Sequence, residues 1–513
     1  MSYFKFLLRI GRDILETVVS LIVLSPVYIL ALFPIVVVSL LHRLVVSLYI
    51  RVKYENGQVS VMSVMDGNWA FETKSSTSTP QGLYIIKGTF NPTKFRATID
   101  KVVRSEYIGG RLSRSITSIL GVPCWKQLQQ DEMNMMDYCR VVLDDEERGF
   151  PTTQDELFAF LSSKEVPIAK GSNKAPWQIF VIPRIQFHNT TNSDTSTPHY
   201  AIVVEVHHAI MDGISGLNML YSVLADKPFA LSMDPCTMAR PHFLKTWLTY
   251  ALGILSLPRT MMRSSYLKDQ YFKPGPAPEL TGPKTLAWTR PIKLDALKQI
   301  KTITKTSMVS ILLSSLGAGF KSLHRRNGET TVPAKFHALV VIVMLPYPKN
   351  RALCNRASAI LSPSKIPSPS DTPISSLKDN HQLLTVSGRS DSIVLAAANS
   401  FYPKLTGLLP LPLHRPLGLP LHVRLTLSNL PGPKEEVFIN GGDKIVDMGF
   451  WVPIKYRIGL GVGSISYNNR VRVSFIGDEV YYPHEGDVQF LATAFEQELQ
   501  RLGDFVGVHD VFY

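Results

Sequence analysis

Two adjacent histidines stand where a strand gives way to a helix, and this order constrains the fold more than any other feature of the chain. Residues 200–206 (YAIVVEV) are a β-branched, apolar run that reads as a buried strand. From Ile214 onward, Leu217, Leu220, Tyr221 and Leu224 recur at helical spacing. Between them lies His207-His208-Ala209-Ile210-Met211-Asp212-Gly213, of the form H-H-x-x-x-D-G. A side chain at such a junction can project into a cleft rather than into the core. Taken singly, these residues have plain readings: a lone histidine is more often an ordinary hydrogen-bonded residue, and Asp-Gly is a common turn. A zinc site would need further Cys, His or acidic ligands at metal spacing. Adjacent side chains at a strand end also point in different directions, so no metal is expected here.

Residues 17–41 form a run of 25 without a formal charge. A spanning helix needs about 20 apolar residues. A secretory signal has a shorter apolar core and a cleavage site, whereas this run leads into more apolar sequence at 44–50; a retained anchor is expected. Pro26 and Pro34 each remove a helical hydrogen bond, which leaves one kinked span and a re-entrant hairpin both open. Lys5, Arg9 and Arg12 precede the run and Arg43, Arg51 and Lys53 follow it, so the positive-inside rule does not orient it. A second apolar stretch, 243–257, is ended by Pro258 and is short for a span. It fits an interfacial helix and a buried core helix equally.

The remaining sequence, within 513 residues, is long enough for two large cores. The expected organisation is an anchor (1–55), a first half with the histidine motif (56–235), a crossover linker (236–285) and a second half (286–513). Strands are expected at 82–88, 174–182 and 338–345, and helices at 95–103, 294–303, 310–323 and 487–502. Residues 188–197 read as a hairpin-like loop leading to the motif strand, and the Pro/Ser-rich 362–373 as an exposed loop. The net charge of +13 favours anionic partners: a bilayer surface, nucleic acid or a phosphorylated ligand. No aromatic-and-basic stripe or zinc spacing supports nucleic acid. Cys124, Cys139, Cys236 and Cys354 are too scattered for a disulfide framework, which fits a reducing compartment.

The motif resembles that of the acyltransferases related to chloramphenicol acetyltransferase. Further blocks narrow the resemblance to the wax ester synthase/diacylglycerol acyltransferase family. Ser428-Asn429-Leu430-Pro431-Gly432-Pro433 is similar to its N-V-P-G-P block, and Cys354-Asn355-Arg356 to its G-N-R, with Cys for Gly. Residues 463–469 (GSISYNN) resemble its later strand and turn, and Ala175-Pro176-Trp177 its P-L-W. One departure is Met308-Val309-Ser310-Ile311, where the family often carries Asn-Asp.

The resemblance implies an α/β fold of two chloramphenicol-acetyltransferase-like halves around a central cleft or tunnel, on an N-terminal membrane helix. It implies that His208 is the general base for an acceptor hydroxyl that attacks an acyl thioester. Imidazole suits this task, since its unperturbed pKa of about 6.5 lies near working pH. His207 is expected to support the loop. Asp212 should hold the loop through an ion pair, and Gly213 should permit a backbone shape that a Cβ would forbid. Ser428 and Asn429 have two readings: a donor to the developing oxyanion, or a tight loop between strands. The co-substrate would be acyl-CoA, the acceptor a fatty alcohol or diacylglycerol arriving from the bilayer, with no prosthetic group. An endoplasmic reticulum membrane with the catalytic part in the cytosol follows from where acyl-CoA is made. A superfamily enzyme acting on another hydroxyl or amine, and a lipid-binding protein without catalysis, are the alternatives.

Overall fold

The β-branched run before the histidines is a strand, His199–Val206 (β7), with sheet neighbours on both sides. The computed structural model describes residues 2–104, 109–142, 151–163, 173–186, 198–239, 242–266, 278–388, 404–413, 423–455 and 457–513. In order, the first sheet runs Phe438–Ile439 (β13), Asp443–Trp451 (β14), Gln81–Lys87 (β2), β7, Trp177–Ile182 (β6) and Cys139–Val141 (β5). All pairs are antiparallel except β5 with β6. The interior place of β7 explains why it reads as continuous apolar sequence: both of its faces are covered. Strand β14 comes late in the chain, yet it pairs with β2 from Trp451 against Gln81 to Lys444 against Lys87. The sheet that carries the histidine motif is therefore completed by the C-terminal part of the chain.

The second sheet runs Ala357–Lys365 (β11), Lys335–Val343 (β10), Leu425–Leu430 (β12), Leu460–Tyr467 (β15), Arg470–Asp478 (β16) and Lys284–Trp288 (β8), with Ile292–Lys293 (β9) also on β16. Asn468 and Asn469 join β15 to β16 with φ of 42° and 62°, the left-handed backbone that a two-residue hairpin turn demands. Helices Met308–Arg326 and Asp487–Phe505 cover this sheet, and Leu312, Leu316, Phe320, Leu491 and Phe495 fill the space between. A mixed α/β architecture in two sheets is what the sequence implies. The helices expected at 95–103, 294–303, 310–323 and 487–502 are each present, as Pro92–Arg104, Leu294–Thr304, Met308–Arg326 and Asp487–Phe505.

Three expectations need correction. Residues 362–373 are not all loop: β11 runs through Ser362, Pro363 and Ser364. Ser358, Ser362 and Ser364 alternate inward and are buried, so small polar side chains concealed a period of two. Pro363 is tolerated because β11 is an edge strand. Pro258 does not end the second apolar stretch, because helix Phe243–Tyr266 continues through it. The candidate span is also displaced. Helix Ser2–Val27 (α1) and helix Phe33–Lys53 (α2) are joined by a π-helical stretch, Tyr28–Leu32, bracketed by Pro26 and Pro34. Among the described residues, the helical segment long and apolar enough to cross a membrane by length and composition is Leu30–Lys53, which includes His42 and Arg43 and overlaps only the second half of 17–41. The loop expected at 188–197 lies outside the described residues.

A small third sheet, Val59–Val61 (β1), Val122–Gln127 (β4) and Arg114–Ile119 (β3), receives α2. Val46 and Ile50, one helical turn apart, are buried against Val59, Val122 and Cys124.

Candidate active site

After β7 ends at Val206, the backbone of the motif is pinned at each step. His207 N–H donates to Pro176 O at 2.9 Å, His208 N–H to Ser78 O at 2.8 Å and Asp212 N–H to Cys354 O at 3.1 Å. His208 is thereby turned toward Asn355, with Nδ1 3.0 Å from Asn355 Oδ1. The amide of Asn355 has one orientation only. Its Nδ2 donates to Asp66 Oδ1 at 2.7 Å and to Ala209 O at 3.3 Å, both acceptors. Oδ1 therefore faces His208, and a carbonyl oxygen demands a donor, so the imidazole proton sits on Nδ1. Nε2 is left as the lone-pair nitrogen.

Asp66 is itself fixed. Arg111 donates to both of its oxygens, at 3.2 and 3.0 Å, and also to Ala209 O and Ile210 O in the motif. Ser63 caps the short helix Val64–Trp69 (α3): its Oγ accepts from Asp66 N–H and donates to Asp66 Oδ2 at 2.8 Å. The same helix presents Trp69, whose ring stacks on His208 with centroids 3.8 Å apart and planes at 14°. Lys455, between β14 and β15, reaches Asn68 O at 2.7 Å and lies 5.0 Å from the Trp69 ring centroid. Burial lowers the His208 pKa to about 4, the hydrogen bond to Asn355 opposing it and the Lys455 charge adding to it. The imidazole is thus neutral at pH 7, the form a base requires. Burial likewise lowers Lys455 to about 7, with Glu72 acting against it.

His207 is buried away from this cluster. Its Nδ1 accepts from Ala209 N–H at 3.1 Å, so its proton belongs to Nε2, which faces Glu72 Oε1 at 3.2 Å. Asp212 caps helix Gly213–Met219 by accepting from Ser215 N–H at 2.9 Å. It accepts also from Tyr347 OH at 2.6 Å and Arg356 N–H at 2.7 Å. These donors are neutral, and they replace the ion pair the resemblance implies. Burial raises both the Asp212 carboxyl and the Tyr347 phenol, which stays protonated and donates. Gly213 does not need a left-handed φ, and it packs under Leu430: a Cβ there would lie 2.8 Å from Leu430 Cδ1. That contact joins the histidine motif to the Pro-Gly-Pro block. Within the block Ser428 is buried and Asn429 is exposed on β12, and the block reaches the motif through Leu430.

Asn355 stands in a segment quoted for its resemblance, without a role in the sequence reading. Asp66, Trp69 and Glu72 were missed. Their one signal was Ser63 three residues before Asp66, a capping pattern. Burial raises the Cys354 thiol, and Ser215 Oγ is engaged by Tyr347 and by Cys354 N–H and O, so neither offers an activated nucleophile. Among the described residues no group of three or more His, Cys, Asp or Glu is placed to hold a metal ion.

Residues 387–503 match the family described as the WS/DGAT C-terminal domain. A putative diacylglycerol O-acyltransferase of Mycobacterium bovis is 23% identical over 324 residues, covering 58% of this chain and 70% of that protein. The chain is thus similar to the wax ester synthase/diacylglycerol acyltransferases, by family model over its C-terminal part and by sequence over 58% of its length. The wax ester synthase/diacylglycerol acyltransferase from Marinobacter aquaeolei VT8 shares its fold, with a TM-score of 0.58, 17% identity and coverage of 87% of this chain and 100% of that one. A starter condensation domain of rhizomide synthetase, solved with C8-CoA, superposes with a TM-score of 0.56 at 10% identity, over 88% of this chain and 95% of that one. The stretch matched by the family, 387–503, holds the Pro-Gly-Pro block, β14 with its place in the motif's sheet, and Lys455. The histidines lie outside it.

Proposed function

We propose that this chain is an acyl-CoA-dependent O-acyltransferase that moves a fatty acyl group to a long-chain alcohol or diacylglycerol, with His208 as its general base. The observation that carries this reading is the locked Asn355 amide, which leaves Nε2 of a neutral His208 as the acceptor. The acceptor oxygen bonds to the thioester carbonyl carbon while its proton passes to Nε2. The carbon–sulfur bond then breaks, the proton goes to the departing thiolate, and the products are an ester and free coenzyme A. A positioned base of this kind contributes roughly 10²–10⁴-fold. No acyl-enzyme is required, and no metal or prosthetic group enters this scheme.

Attachment to a bilayer is part of the proposal. Exposed apolar side chains cover much of α2, among them Phe33, Val38, Leu41 and Leu48. On helix Phe243–Tyr266, which packs against α1, Phe243, Leu244, Trp247 and Leu248 are exposed as well. A lipid acceptor would reach the protein from this side, and acyl-CoA from water; the endoplasmic reticulum with a cytosolic catalytic face fits that supply. Membranes carrying the wild type and His208→Ala test the reading, with labelled palmitoyl-CoA offered together with hexadecanol or with diacylglycerol. A labelled neutral ester that vanishes in the variant is expected, and the acceptor used names the product. Ester formation by folded His208→Ala at the wild-type rate would sink the assignment of the base. No ester from either acceptor would turn the reading toward another hydroxyl or amine, or toward lipid binding alone.

A further inference from the structure

The apolar N-terminal helix touches the support of the base. On α2, the face that seats Val46 and Ile50 against the small sheet also carries Arg43. Its guanidinium donates to Met62 O, the residue before the Ser63 cap of α3, and to Gly407 O at 3.1 Å. Gly407 lies directly behind α3: a Cβ there would stand 1.8 Å from Val64 O and 2.9 Å from Asn68 N. Thr406 Oγ1 donates to Asn68 Oδ1 at 2.7 Å. One arginine thus ties together the start of α3 and the segment pressed against its back. The second apolar helix bears on the same segment, since Lys404 Nζ lies 5.2 Å from the ring centroid of Tyr250.

From α3 the connection to chemistry is short. Asp66 holds Asn355, Asn355 holds His208 Nδ1, and Trp69 stacks on the same imidazole. We propose that Arg43 is a positioning residue: the membrane-type helix α2 sets the place of α3, and through Asp66 and Trp69 the aim of His208. The part of this inference that concerns turnover rests on the reading of His208 as a base. The mechanical part does not. A helix that merely tethered the protein would need no half-buried arginine reaching the segment that aims its base. On this view α2 is part of the catalytic body, and ester formation depends on it even when substrates are delivered without a bilayer.

The test uses the full chain in detergent micelles, as wild type, Arg43→Met, Arg43→Lys and His208→Ala. Amide hydrogen exchange is followed by mass spectrometry, and kcat and KM are measured with palmitoyl-CoA and hexadecanol. In Arg43→Met, exchange over residues 63–70 should quicken by roughly fivefold or more while the C-terminal helix Asp487–Phe505 keeps its protection, as expected for local rather than global opening. Turnover should fall about tenfold with KM for palmitoyl-CoA within about twofold, the signature of a misaimed group. Arg43→Lys, which keeps a donor to one carbonyl, should recover part of both effects. Unchanged exchange over 63–70, or a uniform rise across the chain, would overturn the proposal. The exchange arm decides this even if the wild type forms no ester, an outcome that would count against the proposed function instead.

Discussion

His207 and His208 are neighbours in sequence and opposites in setting. His207 is sealed: one nitrogen is occupied by a backbone N–H and the other faces a buried carboxylate. His208 is held by one nitrogen only, through an amide whose orientation is fixed from behind by Asp66 and Ala209 O, and stacked on one face by Trp69. Its other nitrogen keeps a lone pair. The difference teaches that residue type supplies the capacity for base chemistry, while the donors and acceptors around each ring decide which histidine can use it.

Replacing each histidine should separate them. His208→Ala should lower turnover by roughly 10²–10⁴-fold with little change in melting temperature, because Asn355 keeps its contacts to Asp66 and Ala209 O. Asn355→Ala is expected to come next. Freed from the amide, the imidazole can take the wrong tautomer or turn, and kcat should fall by about 10- to 100-fold with KM little altered. His207→Ala should do the reverse of His208→Ala. It leaves the Glu72 carboxylate without one of its neighbours in a buried site, at a cost of about 1–3 kcal/mol of stability read as a lower denaturation midpoint. Turnover per folded molecule should stay within about tenfold. If His207→Ala proves as inactive as His208→Ala while still folded, the contrast between the rings is false.

This contrast could be read from the sequence only in part. The strand, the junction and the helix were legible because hydrophobic periodicity and β-branching are local signals. The mixed α/β fold was legible because several short blocks stood in a recognisable order. The partners that make the two histidines differ come from far away in the chain: Asp66, Trp69 and Glu72 precede them by more than a hundred residues, and Asn355 and Lys455 follow. No periodicity announces such contacts. Residues 62–73 look like the unremarkable opening of a domain, yet they hold Asp66 and Trp69 on His208 and Glu72 on His207. The Pro-Gly-Pro block is conspicuous in sequence, and what it brings to the motif is the packing of Leu430 on Gly213. Gly213 was expected to permit a backbone shape that a Cβ would forbid, and in the fold it lies under the Leu430 side chain. Serine at 358, 362 and 364 hid a strand because small polar residues mimic a loop in composition while still alternating inward.

The smallest expected effect concerns charge near His208. Lys455 lies by Trp69, and its ammonium opposes the positive charge that His208 acquires on taking a proton. Burial brings Lys455 down to about 7, so this opposition fades as pH rises through neutrality. His208 stays neutral on both sides of that step, since its own pKa is lowered to about 4. Hence kcat/KM should be lost as pH falls through about 4, hold a lower plateau above that, and rise through about 7 to a higher one. The upper step should be less than about tenfold, because it reflects a neighbouring charge and not the loss of the base. Lys455→Met should remove the step near 7 and move the acid limb only slightly upward, because burial, the larger cause, remains. A wild-type profile with a single limb near 6.5 would mean that the His208 site is open to water, and that burial does not distinguish this ring in the way its surroundings indicate.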